Sequence, residues 1–285
     1  EFKIMAKKKP IEGVSDQMNA IASQNLDHAP ARRRVRLAFT HVQEQLDHVL
    51  FKWFEMNSKG QEIFCKSWLP KPGVRIKAAV CFVHGYGDTC TFFFEGIAKR
   101  IAAAGYGRPE VRGMPRFLLA QSMGGAVALK VHLKEQREWD GVVLVAPMCK
   151  ISEEMKPPEP LQKVLIFLSR LMPKAKLVPT KDLAELAFRD PQKRKLADYN
   201  VISYSDQTRL KTAVELLNIT NELESEVEKV SAPLLILHGA ADKVTDPNIS
   251  KFLYEKAASK DKTLKLYDGS YHCILEGESD ERILE

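Results

Sequence analysis

Hydrophobic and polar positions form short, recurring patterns along the chain, and turn residues separate the patterns. Two β-rich runs, 50–56 and 62–69, flank a turn at 57–60 and predict a hairpin. Apolar runs with β-branched residues then recur, as is typical of buried parallel strands. These predicted strands cover residues 77–83, 117–120, 142–146, 233–238 and 263–267.

Segments with helical periodicity lie between the predicted strands, at 92–104, 123–136 and 249–258. Such β-α-β alternation predicts a doubly wound, mostly parallel α/β sheet. Residues 148–228 interrupt the alternation with prolines and with three helix-like segments at 161–172, 183–188 and 209–217. The predicted organisation is a leader (1–45), an α/β core in two parts (46–147 and 229–285) and an inserted helical cap, or lid (148–228).

The composition is that of an ordinary globular protein, with 285 residues, of which 45% are hydrophobic and 28% charged. The longest apolar stretches, 78–83 and 164–168, are far shorter than the roughly 18–20 residues that span a bilayer. Five cysteines without a C-x-x-C pair argue against a disulfide framework and against a zinc site. We therefore expect a protein of a reducing compartment.

The formal net charge of +6 is concentrated near the N-terminus, because residues 1–36 carry eight Lys or Arg and four Asp or Glu. A basic leader of this kind can dock on nucleic acid, on anionic lipid or on a targeting receptor. We interpret it as a solvated, partly disordered arm, since it lacks the apolar core of a secretory signal and the aromatic interleaving of a nucleic-acid binder. The expected location is cytoplasmic, with peripheral membrane contact or plastid targeting as alternatives, and no nucleic-acid partner is expected.

The stretch 117–125 carries the most specific signal, because an apolar strand runs directly into a serine and then into a helix. A nucleophile on such a tight turn needs small neighbours, since the backbone is strained and the hydroxyl must project above the sheet. Gly124 meets this need and Gly125 lets the helix and the strand pack closely, whereas Ala120 replaces the first glycine of the G-x-S-x-G pattern. Ser122 is therefore a candidate nucleophile, and a structural helix cap is the alternative interpretation.

An acid and a histidine follow in the chain order Ser122, Asp242, His272, and each lies just after a predicted strand. A serine hydroxyl needs a base to take its proton, and the base needs an anion that fixes its tautomer. Three loops at one edge of the sheet can supply all three groups. Asp246, in the same loop as Asp242, is a rival for the acid. Surface or packing roles are predicted for His28, His41, His48 and His132.

The loop 84–88 follows the predicted strand 77–83 directly and contains two glycines. A loop in this position donates a backbone N–H to an oxyanion hole, together with the residue after the nucleophile. The Tyr86 and Met123 N–H groups are the predicted donors. Neither G-x-x-x-x-G-K-[ST] nor G-x-G-x-x-G is present, which argues against a nucleotide site.

Several blocks together resemble a known family: HGYGD at 84–88, QSMGGA at 121–126, APMCK at 146–150, LILHGAADKVTDP at 235–247 and YH at 271–272. They are similar to plant monoacylglycerol lipase-like and caffeoylshikimate esterase-like proteins, which are α/β-hydrolases of the serine aminopeptidase and lysophospholipase group. The resemblance covers roughly residues 45–285. It implies an α/β-hydrolase fold with a helical cap, ester hydrolysis without cofactor or metal, and Asp242 rather than Asp246 as the acid.

Two departures from that family are visible in the sequence. Only 37 positions separate Gly85 from Ser122, whereas a β-α-β-α-β passage takes about 60 residues at roughly 30 per β-α-β unit. The family has a further strand and helix in this interval, as though a module had been removed between Gly107 and Arg108. The family pattern also continues with a final helix beyond Glu285. Loss of an interior strand is expected to expose apolar faces of the sheet.

These features favour a serine carboxylester hydrolase with Ser122 as nucleophile, His272 as base and Asp242 as the orienting acid. The expected partner is a small-molecule ester or lipid, such as a monoacylglycerol, a lysophospholipid or a related ester. The alternative hypothesis is a catalytically impaired splice or gene variant that keeps these residues but misplaces them and at most binds acyl ligands.

Overall fold

The computed structural model of the chain describes residues 13, 15–16, 19–20, 23, 49–90, 93–107, 113–151, 158–177, 183–197, 199–200, 203–204 and 206–283. The predicted basic leader, residues 1–45, lies almost entirely outside these described residues. Among the helices that are described, none is both long and apolar enough to cross a membrane.

Strands and helices alternate along the described part of the chain, as the sequence predicts. The strands are β1 (Val49–Met56), β2 (Glu62–Leu69), β3 (Ala78–Val83), β4 (Tyr106–Gly107), β5 (Arg116–Gln121), β6 (Gly141–Val145), β7 (Leu234–Gly239) and β8 (Lys262–Tyr267). The helices are α1 (Phe93–Ala103), α2 (Met123–Lys134), α3 (Glu159–Leu171), α4 (Leu183–Ala187), α5 (Pro191–Ala197), α6 (Leu210–Glu226), α7 (Pro247–Lys256) and α8 (Asp280–Ile283), with a 3-10 turn at Val227–Lys229.

The predicted hairpin is confirmed, because β1 and β2 pair antiparallel from Val49–Leu69 to Met56–Glu62. Its turn is closed by Asn57, whose Oδ1 accepts from the N–H groups of Lys59 and Gln61, both at 2.9 Å. In the described residues this hairpin forms a two-stranded sheet of its own.

The other six strands form one parallel sheet in the order β4-β3-β5-β6-β7-β8, which confirms the predicted doubly wound, mostly parallel α/β architecture. Parallel strands end at a common edge, so the loops that follow them lie side by side. The loops after β3, β5, β7 and β8 carry Tyr86, Ser122, Asp242 and His272 respectively. The topology therefore brings all the predicted site loops to one edge of the sheet.

The strands β5, β6 and β7 form the centre of the hydrophobic core. Leu118, Leu144 and Ile236 on these strands are almost completely buried, and they belong to one cluster with Leu223 of α6 and Leu253 of α7. Burial of each large apolar side chain contributes about 1.5–3 kcal/mol. This cluster therefore fixes the strand before Ser122 relative to the strand before Asp242.

Among the described residues between β6 and β7, where the sequence predicts the cap, there are four helices, α3 to α6. The sequence pattern does not predict α5, because Pro191 reads as a break. In the structure Pro191 is the first residue of α5, where its missing N–H costs nothing, and Asp190 Oδ1 caps the helix by accepting from Gln192 N at 2.7 Å. Helix α6 also continues well beyond its predicted end at 217, because its second half packs against α2.

In the described residues, the two-residue strand β4 lies in the interval between β3 and β5. β4 pairs with β3 at Ala78 and Ala79 and ends at Gly107, directly before the position where the sequence predicts the missing module, so the loss of that module stays a prediction. Lys77 N donates to Gly105 O at 2.8 Å, and this hydrogen bond holds the backbone that leads into β4 beside β3. Beyond Ala79, β3 is only partly buried and Cys81 is exposed, whereas β6 is almost entirely buried. Within the described residues, the sheet thus has an open edge along the second half of β3.

This open edge predicts weak protection of one amide hydrogen. Ala79 N donates to Pro115 O on the β5 side at 2.8 Å, so strand alternation turns the N–H groups of Val80 and Phe82 to the other side. The N–H of Val80 faces Gly107 of β4, which pairs with Ala79, and that of Phe82 lies beyond β4 at the open edge. We expect the Phe82 amide to exchange with deuterium at least about 100-fold faster than the amides of Val143 and Leu144 on β6, because an unpaired edge amide opens locally. Residue-resolved hydrogen exchange measures this ratio, and equal protection of the two strands would contradict an open edge.

Candidate active site

Ser122 occupies a strained turn between β5 and α2. Its φ of 54° and ψ of −122° lie outside the regions that ordinary side chains prefer, which costs about 1–3 kcal/mol. The turn is held by hydrogen bonds at both ends of the residue, from Ser122 N to Val145 O and from Met148 N to Ser122 O, each at 2.9 Å. The Ser122 side chain makes no capping hydrogen bond to α2. The alternative interpretation of Ser122 as a helix cap is therefore not supported.

The two glycines after Ser122 allow close contact with neighbouring loops. A Cβ atom at Gly124 would overlap the carbonyl oxygens of Val83 and His84, which end β3 and begin the loop after it. A Cβ at Gly125 would lie 2.7 Å from Pro147 Cβ. These close approaches explain in physical terms why the sequence has glycine at both positions.

Asp242 and His272 form a buried pair. His272 Nδ1 lies 2.7 Å from Asp242 Oδ2, and both side chains are almost inaccessible to solvent. The other carboxylate oxygen, Oδ1, accepts from the N–H groups of Val244 at 2.7 Å and Thr245 at 3.1 Å. Gly239, at the end of β7, lets the two loops touch, because a Cβ there would overlap the Tyr271 carbonyl oxygen.

A second histidine, His238, completes the shell around Asp242, and the sequence analysis assigns it no role. Its Nε2 lies 3.0 Å from Asp242 Oδ2 and its Nδ1 lies 2.7 Å from Ser250 Oγ. Because Asp242 can only accept at this site, Nε2 carries the proton and Nδ1 accepts from the Ser250 hydroxyl. The only sequence signal for this role is the position of His238 at the end of β7, four residues before Asp242.

The Thr245 hydroxyl is a further contact that the sequence analysis does not identify. Thr245 Oγ1 lies 2.9 Å from Asp242 Oδ2, 3.1 Å from Ala146 O and 3.1 Å from His272 Nδ1. It therefore sits where the acid and histidine loops meet the backbone after β6.

The hydrogen bonds around Asp242 determine its ionisation. Burial alone would raise the pKa of Asp242, but hydrogen bonds from His238, His272 and Val244 N, together with electrostatic attraction by His272, hold the pKa well below its usual range. Asp242 is therefore an anion at every pH where the protein is expected to work. It can fix the tautomer of His272 and stabilise its imidazolium form.

The rival acid and the other histidines have structural roles or lie outside the described residues. Asp246 Oδ1 caps α7 by accepting from Asn248 N at 2.9 Å. His132 is buried, and its Nε2 accepts from the N–H groups of Ser231 and Ala232, which confirms its predicted packing role. The predictions for three further histidines fall on residues that are not described: His28, His41 and His48.

The loop after β3 approaches Ser122 from the side of the predicted oxyanion donors. A Cβ on Gly85 would be 3.3 Å from Ser122 Cβ, so this loop packs directly on the nucleophile turn. Neither Tyr86 N nor Met123 N, the first residue of α2, donates to another residue in the part of the chain that the structure describes. Both N–H groups are thus available to a ligand.

The Ser122 hydroxyl and His272 do not form a hydrogen bond with each other in the structure, although both belong to the described residues. Of the three predicted triad residues, Asp242 and His272 are hydrogen-bonded to each other, and Ser122 lies at the same edge of the sheet. Catalytic hydrogen bonds of this kind are often long before substrate binds and tighten in the complex.

Backbone hydrogen bonds connect the segment between β6 and β7 to two of the site loops. Tyr204 N donates to Gly87 O at 2.6 Å on the loop after β3. On the histidine loop, Cys273 N donates to Ala187 O at 3.0 Å, and Arg189 N donates to Gly277 O at 3.1 Å. No group of three or more His, Cys, Asp or Glu that could hold a metal ion occurs among the described residues.

Comparisons with known proteins show which family the chain belongs to. The sequence profile of the family "Serine aminopeptidase, S33" matches residues 107–280. Caffeoylshikimate esterase of Arabidopsis thaliana is 32% identical, over 77% of this chain and 78% of that protein. Monoglyceride lipase of Homo sapiens is 28% identical, over 77% of this chain and 82% of that protein.

A solved structure shows the same fold at lower sequence identity. A soluble variant of monoglyceride lipase from Saccharomyces cerevisiae, in complex with a substrate analogue, superposes with a TM-score of 0.71 at 19% identity, over 84% of this chain and 92% of that chain. The profile match, the similarity to the plant esterase and the parallel sheet lead to one conclusion. The chain belongs to the serine aminopeptidase S33 family and is a hydrolase of the lipase and esterase type.

Proposed function

We propose that the protein is a serine carboxylester hydrolase that uses Ser122, His272 and Asp242 as its catalytic triad. The observation that carries this proposal is the buried hydrogen bond from His272 Nδ1 to Asp242 Oδ2, at 2.7 Å, at the sheet edge where Ser122 occupies its strained turn. A histidine held by a buried acid is the arrangement that activates a serine nucleophile, and the loop after β5 presents Ser122 at the same edge of the sheet.

In the proposed reaction, Ser122 Oγ attacks the ester carbonyl carbon while His272 Nε2 takes the hydroxyl proton. The carbonyl π electrons move to the oxygen, and the N–H groups of Tyr86 and Met123 hold the resulting oxyanion. Collapse of the tetrahedral intermediate expels the alcohol, which receives the proton from His272. Water then attacks the acyl-enzyme by the same route and releases the carboxylic acid. Asp242 remains ionised throughout and stabilises the imidazolium form of His272.

For the substrate, we propose monoacylglycerols, lysophospholipids or related amphiphilic esters. The names of the similar proteins, caffeoylshikimate esterase and monoglyceride lipase, support an ester of a carboxylic acid as the substrate. Helix α3 supports a lipid, because it presents an exposed apolar stripe in which the exposed fractions of the residues reach 65%. The stripe consists of Leu161, Val164, Phe167 and Leu171.

The same stripe favours peripheral contact with a lipid surface. The exposed side chains of Lys163 and Arg170 lie on the same helix, and cations beside an apolar stripe are typical of helices that lie in a membrane interface. A substrate that resides in a bilayer or a micelle could then reach the site from the side of α3.

This proposal predicts a preference for long acyl chains. We expect kcat/KM to be at least about tenfold higher for glycerol monooleate in mixed micelles than for glycerol monoacetate, because each buried CH₂ contributes about 0.8 kcal/mol. Phe167→Ser combined with Leu171→Ser should reduce this ratio, mainly through the long-chain ester.

The matched control is Met56→Ser, which removes an exposed apolar side chain (63% accessible) from the hairpin and away from α3. This variant should keep the wild-type ratio. Equal kcat/KM for the acetyl and oleoyl esters in the wild-type protein, or equal effects of the α3 and hairpin variants, would count against a lipid substrate.

A further inference from the structure

Two carboxyl groups lie in the site loops and take no part in the proposed reaction. One is Glu276, which is buried in the turn that follows His272, and the other is Asp88, which is half-buried in the loop after β3. Glu276 is 8% exposed, and no lysine or arginine among the described residues forms an ion pair with it. A buried acid without a cation requires another source of stabilisation.

That stabilisation comes from Gln121, the residue immediately before Ser122. Gln121 Nε2 donates to Glu276 Oε1 at 3.1 Å, and both side chains are buried. The two residues are 155 positions apart in the sequence, so the hydrogen bond joins two elements that only the fold brings together. One partner is at the end of the strand that carries Ser122, and the other is in the turn that carries His272.

The turn that contains Glu276 is compact. Gly277 N donates to Cys273 O at 2.6 Å, and Glu276 N approaches the same carbonyl at 3.3 Å. Gln121 Nε2 also lies 3.8 Å from Cys273 Sγ. A displacement of Glu276 would therefore be transmitted through a tight turn to Cys273, the immediate neighbour of His272.

We propose that Glu276, through its hydrogen bond to Gln121, is a positioning residue that holds the His272 turn against the strand end that carries Ser122. The proposal rests on the proposed function, because it assigns Glu276 to the alignment of His272 with Ser122. Glu276 touches neither the substrate nor the reacting atoms, and acts through Gln121 and the turn.

The electrostatic surroundings give this contact a pH dependence. Burial and the nearby Asp88 raise the pKa of Glu276 from 4.5 to about 8, against the opposing effect of the Gln121 hydrogen bond. Among the described residues, the other charged or titratable groups that act on this cluster are His84, which attracts Asp88, the Cys273 thiol, whose pKa is raised by burial and by the charges of Glu276, Asp88 and Asp242, and Asp242 itself. Glu276 is therefore neutral at pH 7. Above about pH 8 it becomes a buried anion that Asp88 repels, which displaces the turn.

The test compares Glu276→Gln, Glu276→Ala and the wild-type protein in ester hydrolysis between pH 6 and 10. Glu276→Gln keeps an acceptor for Gln121 but cannot ionise, so it should retain wild-type kcat at pH 7 and lack the wild-type decline centred near pH 8. Glu276→Ala removes the contact and should lower kcat about 10- to 100-fold at pH 7, with KM changed less than about threefold, since small misplacements of catalytic groups have effects of this size.

Thermal unfolding supplies a readout that does not depend on activity. A raised carboxyl pKa stabilises the fold fully below pH 4.5, and the contribution is lost as pH rises through about 8. The Tm of the wild-type protein should therefore fall relative to that of Glu276→Gln between pH 5 and 9. The control is Glu95→Gln, a buried acid on α1 that is paired with Lys66 and Lys99, and it should leave the pH profile of kcat unchanged.

Two contrary results are distinguishable. A wild-type protein that hydrolyses esters, with Glu276→Gln and Glu276→Ala indistinguishable from it in kcat and pH profile, overturns the positioning role alone. A folded wild-type protein that neither hydrolyses esters nor reacts at Ser122 contradicts the proposed function, and the positioning role with it. If Glu276→Ala does not fold, the pH profiles of Glu276→Gln and the wild-type protein decide the question.

Discussion

Ser122→Ala should lower kcat for ester hydrolysis on the order of 10⁶-fold, which is the size of effect seen when a triad nucleophile is removed. The Tm should stay within about 2 °C of the wild-type value, because the hydroxyl makes no hydrogen bond in the described part of the chain and only one oxygen atom is lost. Addition of His272→Ala should lower the rate little further, since triad residues act as a unit.

The measurement is steady-state hydrolysis of a p-nitrophenyl ester, together with thermal unfolding of each variant. Ser169→Ala is the matched control, because Ser169 is a buried serine on α3 that donates to Ile166 O at 2.7 Å and lies outside the site. It should keep wild-type kcat. Hydrolysis by Ser122→Ala at a rate near that of the wild-type protein would show that another group carries the reaction.

Asp242→Asn should lower kcat about 10⁴-fold, because an amide can no longer fix the His272 tautomer or stabilise the imidazolium. The side chain would also face His238 Nε2 and His272 Nδ1 with a neutral group in place of an anion. Asp246→Ala, four residues away, should leave kcat within about twofold. It should instead lower stability by about 1 kcal/mol, since Asp246 caps α7.

These two variants separate the two candidate acids of one loop. Initial rates at saturating substrate give kcat, and chemical denaturation gives the free energy of unfolding. The reverse pattern, with a large loss of kcat in Asp246→Ala and a small one in Asp242→Asn, would transfer the role of the acid to Asp246.

The sheet and its loops could be predicted from the sequence because the central parallel strands β5, β6 and β7 are largely buried and read as continuous apolar runs. The apolar run before Ser122 and the one before Asp242 both end where a loop begins. Because the strands are parallel, these two loops lie at the same edge of the sheet. Gly124 and Gly239 also indicate that the site loops lie close together, since a Cβ at either position would overlap the backbone of a neighbouring loop.

The parts that could not be predicted depend on contacts that only the folded chain makes. Gln121 and Glu276 are 155 positions apart in the sequence. His238 is four residues from Asp242, but its sequence surroundings do not show that the loop after β7 turns the Asp242 carboxylate back onto it. The two-residue strand β4 is too short to produce a periodic pattern. From sequence alone, Pro191 is compatible with either a break in a helix or the first residue of one. In the structure it is the first residue of α5, which Asp190 caps.

The central claim is that Ser122, His272 and Asp242 form a working triad in this α/β core. The most direct measurement is the reaction of the purified protein with a fluorophosphonate, followed by intact mass and peptide mapping, because efficient labelling requires a nucleophile that its base has activated. We predict one adduct per chain, located on Ser122 and absent from Ser122→Ala. A cooperatively folded wild-type protein that remains unlabelled, or that carries the adduct on another residue, would contradict the claim.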